Sequence, residues 1–390
     1  MTAGGAEGVP PSAAEQSETG AAEALLLMTP GPTRVPSPVL AAGAQPMLHH
    51  RTADFSTILA GLLERIKPLF GTADADVLPI HATGRGAMEA AIANLFRPGD
   101  AIVCCCNGKF GRMWAGFAEA YGLVVHRVAT DLDVDVDAAE VSAALRDHPT
   151  ARAVTLTHCD TTTGVLNDVE AVCAAARVHG ALVMVDGISS IGGVPFELDS
   201  WGVDVAITAS QKCLMSPPGL AFVALNERAW SMTETASLPR SYWDFGQIRE
   251  FLAREGPETP GTTPVQSVRQ VAEALSLIHQ EGLANVYERH AAMGRAVRDR
   301  MSGLGLELQC PRLARFSPTL TAIAAPAGID PGEIRSAMRQ RGILIAVGLL
   351  DYRGRAFRIG HMGDIGPVDV ERTLRALSEV LVGLERGVPR

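Results

Sequence analysis

Two side chains in this sequence are placed to act on one substrate. Asp186 falls in the apolar run "ALVMVDG" (181–187), and Lys212 follows the apolar run "VDVAITAS" (203–210). A lysine withdrawn from water binds its proton less tightly and becomes a nucleophile and a base. A carboxylate at the end of a buried strand either caps the next helix or holds a cationic group. The two residues are 26 positions apart, which fits one strand–helix–strand step between neighbouring positions of a sheet. Together they point to pyridoxal phosphate, whose aldehyde forms a Schiff base with a lysine and whose ring nitrogen an acid keeps protonated.

The elements that must position this pair are legible between residues 75 and 225. Strand-like runs at 100–107, 122–129, 151–158, 181–187, 203–210 and 219–226 alternate with helical patterns. The runs are apolar nearly throughout, so both faces are buried, and the alternation predicts an α/β fold with a mostly parallel sheet. The last run follows its predecessor through a short turn and is expected to lie antiparallel to it. Ligands collect at the carboxyl ends of such strands. There the chain carries "ATGRGA" (82–87), "NGKFG" (107–111), "HCDTTTG" (158–164), "DGISS" (186–190) and "SQK" (210–212). Residues 265–305 read as a long helical segment. Strand-like pieces at 318–326, 342–348 and 356–363 and a terminal helix follow it, as a smaller α+β unit.

Composition sets the outer bounds. Among 390 residues, 47% are hydrophobic and 20% charged, enough for a sizeable core. A net charge of −9 and the lack of any long Lys/Arg cluster argue against a nucleic-acid groove. No uninterrupted apolar run is long enough to predict a membrane span. Residues 1–24 lack a basic leader and an apolar segment and read as a flexible tail. The seven cysteines include three in a row, Cys104–Cys106, and form no spaced pair. That usage fits a reduced, cytoplasmic protein, and adjacent strand cysteines point to opposite faces, so no metal site is expected.

The motifs taken in order resemble one family. They are "LLLMTPGPTRVPSPVL" (25–40), "HHRTADF" (49–55), "TGRGAMEAAIANLFRPGD" (83–100), "NGKFG", "THCDTTTGVLND" (157–168), "VDGISSIGG" (185–193), "SQKCLMSPPGL" (210–220), "TPGTTPVQSV" (259–268) and "FRIGHMG" (357–363). In all nine the chain resembles the class V, fold type I pyridoxal phosphate aminotransferases, in the alanine–glyoxylate and serine–glyoxylate branch. The resemblance implies a large seven-stranded-type cofactor domain over 25–270, which includes an N-terminal active-site segment, and a smaller α+β domain over 271–390. It also implies a homodimer with shared active sites.

The resemblance carries roles residue by residue. Lys212 would hold the cofactor as a Schiff base and shuttle the substrate proton, and Asp186 would pair with the ring nitrogen. Thr83, Gly84 and Arg85 match the phosphate-side loop, Phe110 the ring-stacking aromatic, and Thr162 a hydroxyl beside the cofactor. Gln211 matches a phosphate neighbour, and Thr262 a threonine reaching the other subunit's phosphate, with Thr263 the alternative. Arg358 would grip the substrate carboxylate, and Pro30 and Gly31 would line the substrate pocket with their backbone. His158 and Asp160 read as loop supports, and His49, His50 and Arg51 as a structural or subunit-contact motif. Two places depart from the pattern: Arg85, where small or imidazole side chains are common, and Met215-Ser216, where many relatives carry Gly-Gly or Gly-Ala.

The reaction so implied is transamination from a small amino acid, alanine or serine, to an oxo acid such as glyoxylate or pyruvate. Alternatives are a specialised donor (ureidoglycine, aminoethylphosphonate or a biosynthetic amine), a lyase or desulfurase, and a non-catalytic cofactor-binding protein.

Overall fold

A computed structural model describes residues 25–385; the expected tail, 1–24, lies outside the described residues. Seven strands form the central sheet: β1 (Asp76–Ile80), β2 (Ala101–Cys105), β3 (Val124–Val128), β4 (Ala151–Thr157), β5 (Leu182–Asp186), β6 (Val205–Ala209) and β7 (Ala221–Leu225). Their spatial order is β1-β7-β6-β5-β4-β2-β3, and only β7 runs antiparallel to its neighbours. Every residue of β5, β6 and β7 is buried, as near-continuous apolar runs predict. Val154, Val183 and Val185 look into one core cluster, while Ile102, Met184 and Ile207 look into another. Both faces of the sheet are therefore covered.

Strand β1 does not stand out in the sequence, because Pro79 interrupts its apolar pattern. The structure puts it at the sheet edge, paired with β7. An edge strand has one side without a ladder, so a residue lacking an N–H is tolerated there.

Helices α1 (Gly84–Leu95) and α2 (Lys109–Ala120) follow β1 and β2 and pack on the same face, through Ala87, Met88, Trp114 and Ala115. The long helical segment is two helices, α3 (Val265–Glu281) and α4 (Leu283–Gly303), parted at Gly282, whose φ of 86° suits glycine. Along α3, Val265, Val268, Val271, Leu275 and Ile278 recur at helical spacing and enter the first core cluster.

A second sheet is antiparallel, with β10 (Ala356–Gly360) between β8 (Leu320–Ala324) and β9 (Ala346–Val347). Its core holds Ile323, Phe357, Ile359 and Leu374. The N-terminal segment is tied to this smaller core: Leu26–Leu27 pairs with Ile343–Leu344, and Met28 is buried there. From that anchor residues 29–33 run to the carboxyl end of β6, where the Thr33 N–H donates to the Gln211 carbonyl at 3.2 Å.

Candidate active site

Strands β5 and β6 run side by side, with Asp186 in register with Ile207. Asp186 is the last residue of β5, and Lys212 sits in the turn just beyond β6. A cavity of about 210 Å³ opens between them. Asp186, Gln211 and Lys212 line it together with Phe110 from the first turn of α2. Gly31, Thr83, Gly84 and Arg85 complete the set of anticipated residues that reach it.

The chemistry of the pair follows from burial. Asp186 accepts one hydrogen bond, from the Ile188 N–H at 2.9 Å, and burial pushes its carboxyl up to about 7. Such a group gains most from a cation placed against it. Burial also lowers the Lys212 amine, more than the opposing pull of Cys213 and Asp186. Its Nζ donates to the Pro30 carbonyl, so Pro30 meets the site through its backbone.

Asp160 joins two strand-end loops. Its Oδ2 accepts from the Phe110 N–H at 2.9 Å and its Oδ1 from the Thr162 N–H at 2.8 Å. Thr162 Oγ1 in turn accepts from the Lys109 N–H at 3.0 Å. Thr162 therefore stands behind the wall that carries Phe110. At Gly108 a Cβ would lie 2.5 Å from Asp160 Oδ1, so this closure needs glycine. The His158 ring points away from the cavity, against Phe196 at 5.5 Å and Trp201 at 6.0 Å. Burial holds it neutral, at about 3.

Besides Thr162 and Pro30, two more anticipated residues stand apart from the cavity wall. Arg358, on β10, is buried and donates through Nε to Val347 at 2.9 Å and through Nη1 to Thr161 at 2.8 Å. Three of its five N–H groups remain for a ligand, and its charge helps lower Lys212. Thr262 is exposed and lines a separate cleft of about 280 Å³ with Tyr242, Trp243 and Pro260. Its neighbour Thr263 is buried and hydrogen-bonded to His81 Nε2 at 2.7 Å. Arg51 braces this segment, donating to the Thr259 carbonyl at 2.8 Å and the Pro260 carbonyl at 3.2 Å. Met215 adopts a left-handed backbone (φ 51°) and is buried in the large core, away from the cavity wall.

Pro32, from the expected N-terminal active-site segment, also lines the cavity, as do Met88, Met113, Ile188 and Ser189, which the sequence did not single out. For the methionines a signal existed: Met88 is four residues after Gly84 and Met113 three after Phe110 on their helices, so each shares its predecessor's face.

These residues fit pyridoxal phosphate. Thr83, at the N-cap of α1, makes no side-chain cap, and no acidic residue occupies the first turn, so free N–H groups and the positive helix end face a phosphate. Among the described residues nothing bonds the buried Gln211 Oε1, and the amide NH2 of the same side chain is the end that donates to a phosphate. Phe110 offers a ring face, Asp186 an acid for the ring nitrogen, and Lys212 an amine for the aldehyde.

Comparison with known proteins agrees. Residues 26–350 match the family model described as Aminotransferase class-V. A soluble hydrogenase small subunit from Synechococcus is 40% identical, over 92% of this chain and 93% of that protein. The L-aspartate–glyoxylate aminotransferase of Paracoccus denitrificans is 37% identical, over 87% of this chain and 86% of its own length. Among solved structures, alanine–glyoxylate aminotransferase from Nostoc superposes with a TM-score of 0.87 at 30% identity, covering 92% of this chain and 95% of that one.

Proposed function

The chain belongs to the class-V aminotransferases and is a pyridoxal phosphate-dependent aminotransferase; on that premise we propose that it transfers the amino group of a small amino acid to glyoxylate or pyruvate, through Lys212 and Asp186. The observation that carries the assignment of residues is the meeting of a buried carboxyl and a buried amine at adjacent strand ends in one cavity. Alanine and serine are the donors expected from the family branch.

When bound, the cofactor supplies an aldehyde to capture the amino group and a ring that accepts electrons from the carbon losing its proton. Lys212, its proton affinity lowered by burial, would take that proton and return it to the carbon that carried the cofactor's aldehyde, so no second base is needed. Asp186 holds positive charge at the ring nitrogen, which a buried carboxylate does without reorganising. Arg358 fixes the substrate carboxylate by two parallel hydrogen bonds from its free N–H groups. The α1 N-terminus and Gln211 anchor the phosphate, and Phe110 sets the plane of the ring.

The proposal includes a cytoplasmic homodimer in which Thr262 completes the partner's site. It also keeps a division at residue 270 between cofactor-binding and smaller units. One experiment tests the reaction class: the purified holoenzyme receives a donor amino acid without an oxo acid. Conversion of the bound cofactor to its amine form is expected, with one equivalent of oxo acid released. Oxo acid produced catalytically with no acceptor present would instead mean lyase chemistry.

A further inference from the structure

We propose that Arg85 is a specificity-determining residue that binds a second, side-chain carboxylate of the amino donor, so that aspartate and related aminodicarboxylic acids are preferred to alanine and serine. The inference rests on the transamination reading and narrows its donor. Arg85 lines the same cavity as Lys212 and Asp186. It is the second residue of α1, whose first turn carries no acid. A cation at the positive end of a helix is locally disfavoured, and there it serves best by attracting an anion. Among the described residues no carboxylate makes an ion pair with it.

Its guanidinium rests instead over the Phe117 ring, 5.6 Å from the centroid. An exposed cation–π contact is weaker than a bidentate, charge-assisted carboxylate pair, so an anionic ligand draws the guanidinium off the ring. Phe117 and Phe110 stand on the same helix, two turns or roughly 10 Å apart along its axis, within the swing of an arginine side chain. Met88 and Met113 line the same cavity, and unbranched, polarisable side chains repack readily around a moving neighbour. Arg358 already provides for the α-carboxylate, and a donor with an apolar or hydroxyl side chain gives a second guanidinium no anion to pair with. The competing use of Arg85 is the cofactor phosphate.

The test compares the wild-type holoenzyme with Arg85→Ala and Arg85→Lys. Initial rates with glyoxylate as acceptor give kcat/KM for aspartate and for alanine. Calorimetry gives the affinity of the holoenzyme for maleate, an unreactive dicarboxylate, against acetate, and a fluorescence titration of cofactor-free protein gives cofactor affinity. The aspartate-to-alanine ratio is expected to fall about 10- to 100-fold in Arg85→Ala, the effect of losing a charged hydrogen bond. The loss should sit mainly in KM, be partly recovered in Arg85→Lys, and be matched by weaker maleate binding at unchanged cofactor affinity. An unchanged ratio with unchanged maleate binding overturns the proposal. So does an equal loss for every donor alongside weakened cofactor binding, which would assign Arg85 to the phosphate. If none of the donors converts the cofactor of the wild-type enzyme to its amine form, the transamination reading fails, and maleate binding alone decides the role of Arg85.

Discussion

The two ends of the cavity are built on opposite plans. At the inner end Asp186 is 3% exposed, and behind it Asp160 and Thr162 are also buried, with their hydrogen bonds closed on backbone N–H groups. At the outer end Thr83 and Arg85 are exposed, and Arg85 leans on a phenylalanine ring. A fixed inner end suits a cofactor that stays, since preorganised polar groups need no rearrangement during reaction. An outer end with free donors suits groups that are held by affinity alone, the cofactor phosphate and an incoming substrate. Perturbing the inner end should therefore abolish chemistry, and perturbing the outer end should redistribute affinity.

The largest effect is expected from Lys212→Ala. Removing the only side-chain amine that the described residues bring to the cavity wall removes both the covalent tether and the proton carrier. Turnover should fall about 10⁴-fold or more, since proton transfer alone contributes up to that order. Steady-state assays measure it, and an unchanged far-UV CD spectrum shows that the fold survives. Residual turnover within tenfold of wild type would place the base elsewhere.

Asp186→Asn probes the cost of the inner end. The Asp186 carboxyl lies near 7 in the folded chain, against an ordinary value of 3.8. Between those pH values the folded state holds a proton that the unfolded state has released. Cofactor-free protein thus loses this contribution as pH rises from about 4 to 7, by roughly 4 kcal/mol at most. Buried His158 and His361, held at about 3, and His290, at about 4, slope the other way, so the variant is compared with wild type. Urea midpoints across that window should rise more steeply with pH in Asp186→Asn than in wild type. Parallel curves would mean that Asp186 is ionised in the folded chain.

What the sequence disclosed follows the same division. Six of the seven central strands were legible, five because burial on both faces writes a near-continuous apolar run and the edge strand β3, largely exposed, only through its valines, while β1 was hidden by Pro79. The inner-end residues announce themselves as polar interruptions at strand ends, and Asp186, Gln211 and Lys212 do meet at one cavity. Ile188 and Ser189 line it as well, but apolar and small residues in a turn look like any other turn. The position of Arg358 behind Thr161 depends on how the smaller sheet docks, which no local pattern encodes. Nor could local pattern show that Met215, at the place where the sequence departs from its relatives, faces the large core.

A subtler break of the inner end is Gly108→Ala. Gly108 has an extended backbone (φ −171°) that any residue adopts, so the penalty is purely steric: the added methyl meets the Asp160 carboxylate. Asp160 must then release the Phe110 or the Thr162 N–H. Overpacking of this kind costs about 1–3 kcal/mol, measured as a lower urea midpoint. Because Phe110 loses its anchor, cofactor affinity should weaken too, by about tenfold if one hydrogen bond is lost. A lower midpoint with intact cofactor affinity would separate the brace from the ring wall.

The smallest effect on stability belongs to Thr262, and it bears most directly on how the outer end is completed. Thr262 is exposed, whereas Thr263 is buried and bonded to His81. Removing an exposed hydroxyl should shift stability by no more than about 0.5 kcal/mol, so Thr262→Val should unfold with wild-type protein. If Thr262 serves a second copy of the chain, the variant will nevertheless release cofactor more readily. Mixing it with Lys212→Ala then gives a sharper result: hybrid dimers contain one site with an intact lysine facing an intact Thr262 and one site lacking both. Activity recovered on mixing two impaired proteins requires a site shared between chains. Mixtures that merely average the parents would confine each site to a single chain, and the outer end would have to be completed from within it.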